Sequence, residues 1–212
     1  MQYRSFVSLN IAIIGNTKLS HALTAAFIST GHQVFMANTE SEKSGISPLW
    51  ETSEDVHYCS IEDAAAAADF IMICTPARDV REVAYWMGDV RRKVIIDLTA
   101  NVPEGLPGNI NTVGAISAIT GSEHIVKLLS LYNHEQIFKP LFGGKLVQVV
   151  LAGDSRKAKE MAKIICKELI IDKVHDFGGL ENITLFDELS KCCRSMIKVN
   201  YAQLQTSTVT KE

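Results

Sequence analysis

Short apolar runs alternate with segments of helical periodicity along most of this 212-residue chain. The first run, residues 9–14, is followed by Gly15, and from Lys18 to Thr30 apolar side chains then recur at helical spacing. Strands that alternate with helices favour a parallel sheet that is covered on both faces. The sequence therefore predicts an α/β fold with a doubly wound parallel sheet, in which right-handed crossovers join the strands. The predicted strands are residues 9–14, 33–37, 57–59, 69–74, 93–98, 124–130, 146–152 and 172–176.

The helical segments lie between these runs, at residues 18–30, 61–68, 78–88, 115–122, 133–139, 155–170 and 181–199. The stretches 38–55 and 99–114 are rich in polar residues, Gly and Pro, which indicates loops. No long linker divides the chain, so residues 1–200 are expected to form one domain and residues 201–212 a flexible tail. The last helix is expected to turn four apolar side chains towards the core: Phe186, Leu189, Cys193 and Ile197.

The composition argues against several classes of partner. The formal net charge of −3 gives no basic field for nucleic acid. No apolar run approaches the roughly 20 residues of a bilayer span, and we expect no signal peptide. Five scattered cysteines are typical of a reduced, cytoplasmic protein. The sequence also lacks the paired ligand spacing of a zinc site, both at His57 with Cys59 and at Cys192 with Cys193. We therefore expect a cytoplasmic protein without metal that acts on a small molecule, with its last helix as a candidate homodimer surface.

The turn after the first strand has the position of a dinucleotide-binding loop. It reads GNTKLS from Gly15 to Ser20 and leads directly into a helix. In dinucleotide-binding folds, three glycines allow the tight turn, the approach of the diphosphate and the packing of helix on strand. Only the first glycine is present here, because Thr17 and Ser20 occupy the other two positions. The Thr17 hydroxyl either donates to a phosphate or caps the helix, and an ordinary strand-to-helix turn is the alternative interpretation.

Polar residues without a carboxylate follow the second strand. An enzyme that uses NAD usually carries Asp or Glu there, about 20 residues after the loop, to hold the ribose hydroxyls. In this chain the position holds Asn38 and Thr39, with Lys43 nearby. A 2′-phosphate would meet no negative charge and has three side chains available for bonding. The sequence therefore favours NADP, and NAD stays open because no Arg is present.

Seven segments follow one another in an order that is more specific than any one of them: IAIIGNTKLSHAL, GHQVFMANT, AADFIMICTP, KVIIDLTANVP, HIVKLL, VVLAGDSRKAKEMA and FGGLENITLFDEL. Together they resemble the coenzyme F-420-dependent NADP oxidoreductase family, which includes the cytoplasmic oxidoreductase domains of metalloreductases. The similarity runs from Ile11 to about Ile197. It implies a Rossmann-type NADP-binding domain with a short C-terminal α/β extension. It also implies hydride transfer from NADPH to a flavin or deazaflavin bound beside the nicotinamide.

The resemblance also assigns cofactor-binding residues by position. Lys127 matches the lysine of the family's VKAFN segment, which reads VKLLS here. No catalytic residue is assigned, because in hydride transfer the cofactor carries out the chemistry. The implied contacts come from the phosphate loop, the pair after the second strand and the turns after the fourth and fifth strands: Gly15, Asn16, Thr17, Lys18, Leu19, Asn38, Thr39, Cys74, Thr75, Pro76, Thr99 and Asn101.

Other interpretations stay open at this point. With Thr17 and Ser20 in place of glycines, the chain is also compatible with a non-catalytic Rossmann-like binding or regulatory protein. A dehydrogenase that resembles pyrroline-carboxylate reductases shares the N-terminal half, but this chain is too short to include their long helical dimerisation domain. Asp97, at a strand end, either orients a substrate or bonds loop amides. His124 and His134 are either proton donors or surface or packing residues.

Overall fold

One eight-stranded sheet forms the centre of the protein. The computed structural model describes residues 8–39, 54–99, 106, 110–130, 148–169, 171, 173–188 and 192. Within them the strands follow the order β3-β2-β1-β4-β5-β6-β7-β8. Their bounds are β1 Asn10–Ile14, β2 Gln33–Ala37, β3 Val56–Tyr58, β4 Phe70–Ile73, β5 Val94–Asp97, β6 Ile125–Ser130, β7 Gln148–Ala152 and β8 Lys173–Asp176.

The strand order reverses at β1, as the doubly wound prediction requires. From β1 the chain builds β2 and β3 on one side, and then β4, β5 and β6 on the other. Ile14 pairs with Ala37 of β2 and with Ile73 of β4, so these three strands end at one edge of the sheet. The predicted α/β fold with a mostly parallel sheet is confirmed.

The pair β6 and β7 departs from the prediction, because it is antiparallel, whereas the other neighbouring pairs in the described sheet are parallel. An apolar run identifies a buried strand but does not encode its direction. An antiparallel neighbour needs no helical crossover. The predicted helix at 133–139 lies outside the described residues.

Helices cover both faces of the sheet. They are α1 Lys18–Ser29, α2 Ile61–Ala67, α3 Val80–Trp86, α4 Thr112–Thr120 and α5 Arg156–Glu168, followed by helical residues 183–188. Ala12 and Ile14 of β1 pack in the core beneath α2, α3 and α4, whereas Ile11 and Ile13 pack in the core beneath α1 and α5. Phe186 is fully buried, as predicted. The other three predicted core residues of the last helix lie outside the described residues.

The end of α2 is held by the side chain of Lys93, the residue before β5. Lys93 Nζ donates to the carbonyl oxygens of Ala65 and Ala66 at 2.6 Å each and of Ala68 at 2.8 Å. These carbonyls belong to the last turn of a helix that is rich in alanine, where no intrahelical donor is available. Lys93 therefore couples α2 to the neighbouring strand. None of the helices in the described ranges combines the length and apolar character that a bilayer crossing requires.

Candidate functional site

Gly15 brings the start of α1 against the turn after β4. Its φ is +128°, and a Cβ at this position would lie 2.8 Å from the carbonyl carbon of Cys74 and 3.0 Å from the amide nitrogen of Thr75. The Gly15 amide donates to the Ala37 carbonyl at 2.8 Å, and the Cys74 amide donates to the Ile14 carbonyl at 2.7 Å. Glycine is therefore required here by both conformation and space. The ends of β2, β1 and β4 are held together at the point where the strand order reverses.

Thr17 is the N-cap of α1 and forms a reciprocal capping box with Ser20. The Ser20 amide donates to Thr17 Oγ1 at 3.1 Å, and the Thr17 amide donates to Ser20 Oγ at 2.8 Å. Of the two roles considered for the Thr17 hydroxyl, the structure shows the helix cap. Two amides of the loop thus bond within the loop, whereas the Leu19 amide has no acceptor among the described residues. The Leu19 side chain packs in the core, so this residue offers only its backbone.

Asn16 of the loop makes a second contact, with His21 of α1. Asn16 Oδ1 lies 2.6 Å from His21 Nε2. Burial lowers the pKa of His21 below its ordinary value, which favours the neutral ring. Because the carboxamide oxygen only accepts, the ring nitrogen donates in this contact. Lys18, at the first helical position, is exposed at the rim.

Two buried oxygen atoms at the ends of β2 and β4 have no hydrogen-bond partner in the described part of the chain. They are Asn38 Oδ1 and Thr75 Oγ1. Thr75 is 1% exposed, and the neighbouring Thr39 and Cys74 are buried as well. A buried polar atom without a partner costs about 1–3 kcal/mol, so such atoms in native proteins call for an explanation. A polar ligand at the carboxyl edge of the sheet would satisfy both oxygens.

A buried ionic cluster joins the end of β5 to β6 and α4. Lys127 Nζ lies 2.9 Å from Asp97 Oδ2 and donates to Thr112 Oγ1 at 2.7 Å. Thr112 Oγ1 also donates to Asp97 Oδ2. Thr99 contributes its amide and its hydroxyl, which donate to Asp97 Oδ1 at 2.8 and 2.6 Å. These four side chains are at most 5% exposed, so the cluster is part of the interior at this edge of the sheet.

The structure brings most of the predicted residues to one edge of the sheet. The predicted residues that follow β1 are Gly15 to Leu19, and those that follow β2 are Asn38 and Thr39. Cys74 to Pro76 follow β4, and Thr99 follows β5. Pro76 opens the 3₁₀ turn before α3. Asn101 lies outside the described residues. The Asp97 carboxylate bonds the Thr99 amide, which agrees with the interpretation of loop bonding.

Thr112 was not predicted as a site residue, because it lies in a stretch whose Gly, Pro and Asn content indicates a loop. Helix α4 in fact begins there, three residues before the predicted start, because Asn111 Oδ1 accepts from the Gly114 amide at 2.7 Å. An Asn followed by Thr before an apolar run is an N-cap signal that identifies this start. The charged residues Asp97 and Lys127 within apolar strand runs are a second signal, since they pair in register across β5 and β6.

His124 does not lie at this edge. It precedes β6, which runs parallel to β5, and therefore sits at the amino end of the strand. Its Nδ1 contacts Ser155 Oγ at 3.1 Å. The packing interpretation fits this position, and the proton-donor interpretation does not. His134 lies outside the described residues, and the described residues contain no group of three or more His, Cys, Asp or Glu side chains that could hold a metal.

Comparison with known families supports the relationship indicated by the sequence. Residues 10–101 match the family described as NADP oxidoreductase, coenzyme F420-dependent. This range includes β1 to β5, with the glycine turn and the ends of β2, β4 and β5. The family resemblance is thus confirmed for that part of the chain. No curated protein sequence matches the chain.

Solved structures share the fold at low sequence identity. A candidate F420-dependent NADP reductase from Arthrobacter sp. FB24 is 20% identical with a TM-score of 0.71, over 86% of this chain and 90% of that one. A pyrroline-5-carboxylate reductase from Coxiella burnetii is 15% identical with a TM-score of 0.66, over 97% and 72%. A reductive aminase from Aspergillus terreus, in complex with NADPH4, cyclohexanone and allyl amine, is 16% identical with a TM-score of 0.63. The match covers 94% of this chain but only 63% of the aminase.

Proposed function

We propose that this protein is an NADP-dependent oxidoreductase that transfers hydride between NADPH and a small acceptor. A flavin or deazaflavin-like ring is the acceptor class that the family resemblance favours. The observation that carries the proposal is the edge where β2, β1 and β4 end together around Gly15. In open α/β sheets, ligands bind outside the carboxyl ends of the strands at the point where the strand order reverses.

The buried oxygens at this edge fit a dinucleotide. The ribose hydroxyls of the adenosine half can donate to Asn38 Oδ1, which has no partner in the described structure. Thr75 Oγ1 lies directly after β4 and can bond the part of the cofactor that crosses the switch point. Since no carboxylate stands at Asn38 or Thr39, a 2′-phosphate is accepted there without charge repulsion. The side-chain carboxamide of Asn38 offers a donor as well as an acceptor and can also bond the ribose hydroxyls of NAD. NAD is therefore the alternative cofactor.

The diphosphate would lie over the start of α1. The positive end of the helix dipole and the backbone amides favour an anion at such a position. The Leu19 amide is available for this purpose, and the exposed Lys18 adds a positive charge at the rim. When bound, the nicotinamide supplies the hydride chemistry, and the protein supplies binding and orientation. No acid or base of the chain is needed for the transfer itself.

A second candidate function is a Rossmann-like binding or regulatory protein that holds no dinucleotide. The capping box favours it, because the Thr17 and Ser20 amides already bond within the loop at 2.8 and 3.1 Å. A diphosphate would have to use the remaining amides or break the box. The natural loop is then closed to the cofactor, although the fold is the same.

Calorimetric titration with NADPH and NADH separates the two candidates. We expect the natural protein to bind NADPH, and Thr17→Gly to bind it more tightly, because the substitution frees the Ser20 amide. Ser155→Gly is the matched control, since Ser155 caps α5 in the same way, accepting from the Ala158 amide at 3.2 Å. Ser155 follows the antiparallel β7, at the opposite edge of the sheet. Binding by Thr17→Gly alone would support the regulatory candidate, and no binding at millimolar concentration by either protein would reject the dinucleotide site.

A further inference from the structure

The Thr99 hydroxyl bonds both members of the buried ion pair formed by Asp97 and Lys127. Its hydroxyl donates to Asp97 Oδ1 at 2.6 Å. The same oxygen accepts from Lys127 Nζ at 3.2 Å, and the Thr99 carbonyl lies 3.4 Å from that ammonium group. Two buried charges of opposite sign thus fix the direction of this hydroxyl group.

This arrangement determines what the hydroxyl can offer to a ligand. A hydroxyl has one hydrogen to donate and two lone pairs that accept. Asp97 takes the hydrogen, and Lys127, which can only donate, takes one lone pair. One lone pair remains. A ligand that bonds Thr99 Oγ1 must therefore be a donor at that point.

The strand order places Thr99 relative to a dinucleotide at this edge. Asn38, after β2, lies on one side of β1, and Thr99, after β5, lies on the other side with β4 between them. With neighbouring strands about 4.8 Å apart, the end of β5 is roughly 10 Å from the end of β1. If the adenosine half lies over β2 and the diphosphate over β1, the nicotinamide half extends towards β5. The donor on the nicotinamide ring is the carboxamide NH₂ group.

We propose that Thr99 accepts a hydrogen bond from the nicotinamide carboxamide, and that Asp97, paired with Lys127, is the positioning residue that keeps its hydroxyl in the accepting state. The inference rests on the proposed function. It goes further, because it assigns a recognition role to a buried ion pair that does not touch the cofactor itself. It also explains why a lysine with several oxygen partners lies in the interior: its charge pairs with the carboxylate that orients Thr99.

The test uses a cofactor analogue that lacks this one donor. In 3-acetylpyridine adenine dinucleotide phosphate a methyl group replaces the carboxamide NH₂, and the remainder of the molecule is unchanged. From the usual strength of one hydrogen bond, we expect the natural protein to bind NADP about fivefold more tightly than the analogue. Thr99→Val is expected to bind both equally, and Thr99→Ser to keep the preference. Thr120→Val is the matched control on α4, because it removes a buried hydroxyl that bonds only within the helix end and keeps the preference.

Asp97 and Lys127 are tested by the same ratio. The double variant Asp97→Leu, Lys127→Met removes the acceptor of the Thr99 hydrogen together with the charge that would otherwise lack a partner, so the hydroxyl is free to turn and we expect the preference to fall below about twofold. Lys127→Met alone leaves Asp97 as the acceptor of that hydrogen and is expected to keep the preference. An unchanged ratio in the folded double variant would overturn the positioning role. Equal binding of NADP and its analogue by the natural protein would overturn the Thr99 contact, whereas binding of neither would reject the proposed function itself.

Discussion

His32 and Glu168 are 136 positions apart in the chain and meet in the interior, with the ring Nε2 3.1 Å from the carboxylate Oε2. The other ring nitrogen, Nδ1, accepts from the Leu9 amide at 3.2 Å. Nε2 therefore carries the hydrogen and donates it to Glu168. Because His32 lies in the turn before β2 and Glu168 ends α5, one ring links the beginning of the sheet to the helix that covers it.

His32→Ala is expected to lower the free energy of unfolding by about 2–4 kcal/mol, because it removes the ring that bonds the partly buried Leu9 amide and Glu168 carboxylate. Urea denaturation followed by circular dichroism measures this change. Glu168→Gln is the control, since its amide oxygen still accepts from Nε2, and it is expected to cost about 1 kcal/mol or less. Equal losses in the two variants would mean that the carboxylate charge, and not the ring, carries the contact.

Gly15→Ala tests whether the glycine turn depends on close packing. The new Cβ would lie 2.8 Å from the Cys74 carbonyl carbon, at a φ of +128°. We expect a loss of about 3 kcal/mol or more in unfolding free energy, and weaker NADPH binding because β1 and β4 must separate.

Gly31→Ala provides the comparison for this substitution. Gly31 also has a positive φ, of +87°, but no atom of the other described residues, its two chain neighbours aside, lies within 4 Å of its Cβ position. Its expected loss is about 1 kcal/mol, from backbone conformation alone, with NADPH binding unchanged. If Gly31→Ala were as damaging as Gly15→Ala, backbone conformation would explain both effects, and the contact with β4 would not be needed.

The strands around the glycine turn could be predicted because their signals are local. Residues 33–37 were predicted without error, and β1 and β4 within one residue at each end, since each apolar run ends at a polar residue or at Gly15. The direction of β7 could not be predicted, because a buried run has the same composition whether it runs parallel or antiparallel to its neighbour.

The candidate site was predicted in part for the same reason. The positions of Asn38 and Thr75 follow from counting strand ends, and both residues lie at the predicted edge. That Asn38 Oδ1 and Thr75 Oγ1 are buried without a partner depends on how distant elements pack, which no local pattern contains. The cluster of Asp97, Lys127 and Thr112 depends on the register of two strands and on the cap of α4. Its members are 15 and 30 positions from Asp97 in sequence.

Asp97→Asn tests the energetics of the buried ion pair. The substitution leaves the Lys127 charge, only 4% exposed, without its counterion. We expect a loss of about 3–5 kcal/mol in urea denaturation, as for other buried pairs that lose one partner. Asp97→Asn combined with Lys127→Met should recover much of that loss, because no unpaired charge is left. Additive losses in the double variant would contradict a direct coupling of the two charges.

Asp89→Asn gives the exposed counterpart of that experiment. Asp89 pairs with Arg91 at 2.8 Å on the surface, where both side chains are more than 60% exposed. We expect no measurable change in the free energy of unfolding, since exposed pairs are screened by solvent. A loss comparable to that of Asp97→Asn would mean that burial does not determine the effect.

Cys166, on the buried side of α5, gives a prediction for the alkaline pH range. Burial raises the pKa of its thiol from 9.0 to about 12. Well below pH 9 the thiol is protonated in both the folded and the unfolded chain, so it has no effect on pH dependence there. Between pH 9 and 12 only the unfolded chain loses the proton, so stability falls as pH rises. Cys166→Ala should therefore lose less stability than the natural protein between pH 9 and 11, measured by urea denaturation at each pH.

At pH 8.5 iodoacetamide should label the exposed Cys192 but not Cys166, as located by tandem mass spectrometry. Labelling of both at similar rates in the folded protein would contradict the buried thiol.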